Sequence, residues 1–96
     1  MTRANQIIQA VYDSQGIAVD LIQSDRRTRP IVEARFLAAY FLRDRLGLTL
    51  EAIADLLGRD FRAIQKGIEK VDDLKTRDQE MKKKFERAKR AIDGKG

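Results

Sequence analysis

The chain has 96 residues, of which 20 are Lys or Arg and 15 are Asp or Glu, giving a net charge of +5. This length allows one small domain. Cysteine and histidine are absent, which excludes thiol nucleophiles, disulfides, the usual zinc sites and the commonest general base, so we expect no catalysis, cofactor or metal. No apolar run is long enough to cross a bilayer, and we expect a cytoplasmic protein associated with the nucleoid.

The spacing of apolar residues predicts an all-α fold with about six helical segments and no strands. The first segment runs from Asn5 to about Asp13, and Gly16 ends it. A short second segment covers residues 18–23. The apolar rhythm then stops in an exposed basic loop, residues 24–30, which carries Arg26, Arg27 and Arg29 and ends at a proline suited to a first helical turn.

The longest predicted helix runs from Ile31 to Leu46 and is closed by Gly47. Apolar residues recur along one side of it at helical spacing, so it should form the centre of the core. A terminal helix, capped by Thr76 or Asp78, should extend to about residue 92, with an inner face of Met81, Phe85, Ala88 and Ile92. Its remaining surface is basic, which usually means a solvated helix face.

Residues 49–71 predict two short helices joined by a turn, the helix-turn-helix shape of many DNA-binding proteins. Thr49 is a suitable N-cap, Gly58 can adopt the left-handed conformation that closes a helix, and Asp60 can cap the next one. We also count Asp60 among the candidate DNA-binding residues. The second helix is the candidate recognition helix. Arg62 and Gln65 are the best candidates for base edges and Lys66 for a phosphate. Phe61 could contact a thymine methyl, but we favour packing into the core. An ordinary helical hairpin is the alternative.

Charge is distributed unevenly along the chain. Residues 1–25 sum to −2, residues 26–48 to +4, residues 49–71 to zero and residues 72–96 to +3. A basic excess beside a helix-turn-helix suits duplex DNA, because Lys and Arg that neutralise phosphates release condensed counterions. The basic loop could also be a solvated surface that touches nothing.

The order of these features resembles the C-terminal DNA-binding domain of the bacterial replication initiator DnaA, of the Trp-repressor-like helix-turn-helix class. The resemblance covers about residues 7–92 and is carried by the VDLI segment, the RRTR loop, the long helix and the GRD hinge at residues 58–60. It implies that the loop places Arg27 in the minor groove while the helix-turn-helix reads a nine-base-pair box in the major groove. It also implies contacts from Arg35, at the start of the long helix, and Lys70, with Arg26 and Arg29 flanking the groove. Our hypothesis is that Arg26, Arg29, Arg59 and Arg35 hold phosphates. Arg35 could instead pair with Glu33 or Asp44.

The recognition helix departs from the family pattern. The family has an acidic residue, a histidine, two threonines and an aliphatic residue where this chain has Asp60, Phe61, Arg62, Ala63 and Ile64. Phe36 also stands where the family usually has a polar contact. We therefore expect a DNA-binding protein with altered or reduced sequence specificity that regulates transcription or replication and acts alone. It would form one domain over residues 1–96, as a monomer or homodimer. The alternative is a protein-interaction adaptor that keeps the fold but binds a replication or transcription partner.

Overall fold

The computed structural model describes residues 2–17 and 29–94. Over these ranges the chain forms five helices and no strands, which confirms the predicted all-α fold. They are α1 (Arg3–Ser14), α2 (Arg29–Leu46), α3 (Leu50–Leu57), α4 (Phe61–Arg77) and α5 (Gln79–Asp93). The short segment predicted at residues 18–23 lies outside the described residues, as does the basic loop up to residue 28.

Helix α2 lies at the centre of the fold. It packs against α1, α3 and α4, while α5 packs against α1 and α4. The predicted apolar stripe of α2 is buried, with Ala34, Leu37, Ala38 and Leu42 fully inaccessible and Phe41 1% exposed. The prediction that this helix supplies the core is therefore confirmed.

Helix boundaries follow the predicted caps with small differences. Helix α1 begins two residues earlier than predicted, because the hydroxyl of Thr2 accepts a hydrogen bond from the backbone N–H of Asn5 at 3.1 Å. Asp78 is the cap of α5 and accepts from Met81 N at 2.9 Å, whereas Thr76 lies inside α4. Only Asp78 separates α4 from α5, so the long recognition helix leads directly into the terminal helix.

The terminal helix closes the core through aromatic contacts. Met81 and Ala88 are buried, and Phe85 and Ile92 are partly buried against the core, as the sequence predicts. The ring of Phe85 meets Tyr40 edge-on with centroids 5.3 Å apart, and it lies 4.9 Å from the ring of Phe41. These contacts hold α5 against α2 and leave the opposite face of α5 in solvent.

Candidate nucleic-acid interface

The turn between α3 and α4 has the geometry of a helix-turn-helix. Thr49 caps α3 by accepting from Ala52 N at 3.1 Å, and Gly58 ends it with a left-handed backbone at φ 65°. The backbone N–H of Arg59 then donates to the carbonyl of Ala54 at 3.0 Å. A non-glycine residue at position 58 would be strained, so this residue fixes the direction in which α4 leaves the turn.

Asp60 takes the N-cap position of α4, but its side chain makes no capping hydrogen bond. Its carbonyl accepts the first helical bond, from Ile64 N at 3.1 Å. The residue is exposed. Asp60 therefore has the predicted N-cap position, but its side chain does not form the hydrogen bond that an N-cap usually makes. The carboxylate adds a negative charge at the end of α4 where the helix dipole is positive.

One face of α4 is buried and the opposite face is presented to solvent. Ile64, Gly67 and Val71 are buried against the other helices. The outward residues recur three or four positions apart and so share one surface; they are Arg62, Gln65, Lys66, Glu69 and Lys70, all exposed. We call this set the α4 surface. It contains every residue of the predicted recognition helix for which a base or phosphate contact was expected, apart from Asp60.

Ion pairing divides α4 into two halves. In its C-terminal half Asp72 pairs with Lys75 and Asp73 with Arg77, each at 3.3 Å. Among the described residues, no carboxylate lies within 4.0 Å of the charged groups of Arg62, Lys66 or Lys70. The N-terminal half therefore carries positive charge that no internal ion pair neutralises, and the C-terminal half does not.

Arg29 is the first residue of α2, so this helix begins two residues earlier than predicted and takes in the last two residues of the predicted basic loop. Its side chain is 82% exposed, and its Nε lies 3.3 Å from a carboxylate oxygen of Glu33. The same carboxylate binds Lys84 of α5. An exposed ion pair of this kind contributes little to stability, so Arg29 can exchange Glu33 for an external anion. Arg26 and Arg27 lie outside the described residues, and their contacts stay predictions.

Arg35 is not where the predicted contact requires it. Its side chain is buried, at 4% exposure, and lies beside Tyr12 in the core. Burial raises the pKa of Tyr12 to about 12, although attraction to Arg35 and Arg59 opposes the shift. A side chain this buried cannot contact DNA without leaving the core, and we correct the assignment of Arg35 from a contact residue to a core residue.

Arg59 and Phe61, two further residues of the predicted interface, differ in how much of the side chain is exposed. Arg59 is half-buried, and its Nη1 donates to the carbonyl of Gly58 at 2.9 Å, so part of its guanidinium supports the turn. Phe61, for which core packing was favoured, is 39% exposed. That expectation is wrong, because Phe61 is the first residue of α4, and Ile64 is the nearest residue that turns inward. Phe61 is the only exposed large hydrophobic side chain of the described part of the chain.

Two further findings on the described ranges concern metal ions and membranes. They hold no group of three or more Asp or Glu side chains placed to share a metal ion. None of the helices in them is both long and apolar enough to cross a membrane. What these residues offer is the basic α4 surface and an exposed arginine at the start of α2, side chains suited to a polyanion.

Sequence reasoning missed the link between the two basic regions. Lys84 was grouped with the solvated basic run of the terminal helix, yet it is half-buried and bound to Glu33 of α2. The side chain of Gln15 also donates to the carbonyl of Lys84 at 3.1 Å. Helical periodicity offers a weak signal, since Lys84 lies three residues after Met81 and four before Ala88, both buried, but no pattern in the sequence pairs it with Glu33.

The fold and the α4 surface together define a helix-turn-helix protein of the DNA-binding type. Residues 4–71 match the family model for the bacterial DnaA protein helix-turn-helix. The chain therefore belongs to this family, as the resemblance predicted.

Curated relatives agree. Chromosomal replication initiator protein DnaA of Ureaplasma parvum is 40% identical over 73 residues, which are 75% of this chain and 16% of the relative. The DnaA protein of Gloeobacter violaceus is 33% identical over 82 residues, 84% of this chain and 19% of the relative. That of Chloroflexus aurantiacus is 36% identical over 69 residues, 71% of this chain and 14% of the relative. The chain thus spans less than a fifth of the length of these relatives.

Proposed function

We propose that this protein binds double-stranded DNA through the α4 surface and the basic loop, and that it regulates replication or transcription in its own right. Arg62 and Gln65 face base edges in the major groove, and Lys66 and Lys70 hold phosphates. Arg29 and Arg59 hold further phosphates at the edges of the interface, and Arg26 and Arg27 supply the loop contacts, with Arg27 in the minor groove. Arg35 has no part in it.

The observation that carries this proposal is the charge state of the recognition helix. Arg62, Lys66 and Lys70 are exposed on one face of α4 and form no ion pair among the described residues. DNA phosphates would supply the negative partners that these cations lack within the described residues. Because binding releases counterions from the DNA, its affinity should fall as the salt concentration rises. Membership of the DnaA helix-turn-helix family supports DNA as the polyanion.

Sequence specificity should differ from that of the initiators. The two positions after Phe61 hold Arg62 and Ala63 in place of the family's threonines, so hydroxyl donors are replaced by a guanidinium and a single methyl group. Arginine in the major groove prefers the two acceptors of guanine, O6 and N7. We therefore propose that the protein prefers a site with a guanine opposite the start of α4, and that it discriminates weakly in favour of the nine-base-pair box of its relatives.

The test is a fluorescence-anisotropy titration of the protein with random-sequence duplex and with a duplex that carries the initiator box, at several salt concentrations. The proposal expects binding that weakens steeply with salt. Arg62→Gln should weaken binding to the preferred site about 5- to 100-fold, the range for removal of a bidentate base contact or a strong phosphate contact.

Arg77→Gln is the matched control. Arg77 has the same side chain on the same helix, but it lies at the far end and pairs with Asp73 at 3.3 Å. Equal decreases in affinity for the two variants would show that only the net charge of the protein matters, and would refute a specific contact between Arg62 and DNA. The absence of binding to either duplex at low salt would overturn the proposed function and direct the search to a protein partner, as for an adaptor.

A further inference from the structure

The terminal helix carries a second basic surface that lies beyond the residues shared with the family model. That model ends at residue 71, and α5 runs from Gln79 to Asp93. The outward residues of α5 include Lys82, Lys83, Arg87 and Lys89, all exposed. Among the described residues none of these four forms an ion pair. The surface is therefore positive, although the exposed carboxylate of Glu86 lies in the same groove as Lys83 and Arg87.

One of these four residues, Arg87, is directed towards the start of α2. Arg87 lines a cleft with Lys84, Pro30, Ile17 and the end of α1. Lys83 precedes Arg87 by four residues and shares its side of the helix. Lys82 and Lys89 are seven residues apart and lie together on another side, turned from the first pair by roughly 130° at 3.6 residues per turn. We call Lys83 and Arg87 the α5 flank.

Helix α5, which carries the α5 flank, is joined to α2 and α1 by bonds of Lys84. Glu33 of α2 pairs with Arg29 and with Lys84, and so joins the exposed arginine at the loop terminus to the middle of α5. The hydrogen bond from Gln15 to the carbonyl of Lys84 holds α5 to the end of α1. Glu33 neutralises the charge of Lys84. The positive charge of α5 that can still bind an external anion near the start of α2 therefore belongs to the α5 flank.

We propose that the α5 flank binds the phosphate backbone of duplex DNA next to the segment held by the loop and α4, and so extends the footprint of the protein on one side. The proposal rests on the DNA-binding function proposed above. The described helices measure 28 × 28 × 25 Å, less than the roughly 34 Å of one helical turn of DNA. DNA that leaves the primary site past Arg29 therefore lies within reach of α5. Phosphate is the chemistry that fits, because two unpaired cations on an exposed helix face read charge and not base identity.

The experiment compares two double variants of equal charge on the intact chain. Lys83→Gln with Arg87→Gln removes the α5 flank, and Lys82→Gln with Lys89→Gln removes two charges from the other side of the same helix. Each protein is titrated with a short duplex that spans only the preferred site, and with duplexes lengthened by about one helical turn at one end or the other. Circular dichroism and a thermal melt confirm that each variant is folded.

Wild type should bind one of the lengthened duplexes at least 3-fold more tightly than the short one. The α5 flank variant should bind both duplexes equally, and its slope of log K against log salt should fall by about 1 to 2, near 0.9 for each phosphate that is no longer neutralised. The control variant should still prefer the lengthened duplex. The charge-conserving variant Lys83→Arg with Arg87→Lys should also prefer it, because either cation can hold a phosphate.

Two results would overturn the inference while leaving the proposed function intact. Equal decreases in affinity for both double variants would show a general effect of net charge, and a wild-type protein that binds longer DNA no more tightly would show that α5 does not reach it. A wild-type protein that binds no duplex would refute the proposed function and this inference together.

Discussion

The ring of Phe36 in α2 lies directly against the backbone of Gly67 in α4. A Cβ atom built on Gly67 would lie 2.2 Å from Cδ1 of Phe36 and 2.7 Å from its Cγ and Cε1. These separations are far below any van der Waals contact, so no other residue fits at position 67 while the ring stays in place. The pair sets how closely the recognition helix approaches the central helix.

We therefore expect Gly67→Ala to destabilise the protein. In an ordinary helix interior this change gains about 1 kcal/mol from backbone propensity. Here the added methyl group must displace an aromatic ring near its stem, and overpacking of this kind costs about 1 to 3 kcal/mol. The expected net loss, up to about 2 kcal/mol, can be measured by urea denaturation.

The same substitution in the Phe36→Ala background is the control. Once the ring is removed, position 67 opens, and alanine should stabilise the helix relative to Phe36→Ala alone. The sign of the effect at position 67 thus depends on the residue at position 36. A destabilisation of equal size in both backgrounds would mean that some contact other than Phe36 restricts Gly67.

Phe61 is expected to contact the 5-methyl group of a thymine when the protein binds DNA. It begins the recognition helix, is 39% exposed, and carries an apolar edge suited to that methyl group. Replacing the contacted thymine by deoxyuridine should weaken wild-type binding about 4-fold, since a buried methyl group contributes about 0.8 kcal/mol. Phe61→Ala should bind the thymine and deoxyuridine duplexes equally. Binding would be measured on a site selected from random duplexes, with each thymine replaced in turn.

The folding stability of Phe61→Ala separates this role from a structural one. Because the ring is exposed, the change should alter the free energy of unfolding by no more than about 0.5 kcal/mol. If deoxyuridine leaves wild-type affinity unchanged at every position, Phe61 does not contact a thymine methyl. A large loss of stability would instead return Phe61 to the core, as the sequence first suggested.

The ion pair between Arg45 and Asp93 is expected to make stability depend on acid pH. The guanidinium of Arg45 donates to both carboxylate oxygens of Asp93, one of them at 3.0 Å, and this bonding lowers the pKa of Asp93 below its ordinary 3.8. A depressed carboxyl pKa stabilises the fold above the unfolded-state value, and the contribution disappears as pH falls through the folded-state value. The melting temperature of wild type should therefore exceed that of Asp93→Asn at pH 7, and the two should converge as pH falls below the lowered pKa of Asp93.

Asp73→Asn is the matched control, since it removes one carboxylate whose ion pair with Arg77 lies within a single helix. Both of those side chains are more than half exposed, so its effect at pH 7 should be the smaller of the two. If the difference in melting temperature between wild type and Asp93→Asn persists unchanged at about pH 2, the pair stabilises the fold through packing and hydrogen bonding and not through charge.

Local patterns were sufficient for the helices and their ends. The spacing of apolar residues predicted the inner faces of α2 and α5, and the side chains of Thr49 and Asp78 cap their helices as expected. Such features depend on interactions between residues three or four positions apart, which the sequence displays directly. The same pattern placed Arg62, Gln65, Lys66 and Lys70 on an outward surface, because a helix with one apolar side must expose the other.

The sequence by itself determined the helical class, the helix-turn-helix and the family, since all three follow from neighbouring residues. Only the tertiary structure decided which charged and aromatic side chains reach the surface. Arg35 is buried beside Tyr12, Phe61 is exposed, and Glu33, which also pairs with Arg29, binds Lys84, which lies 51 positions further along the chain. Burial of a side chain depends on which distant helix covers it, and no periodicity along one helix contains that information.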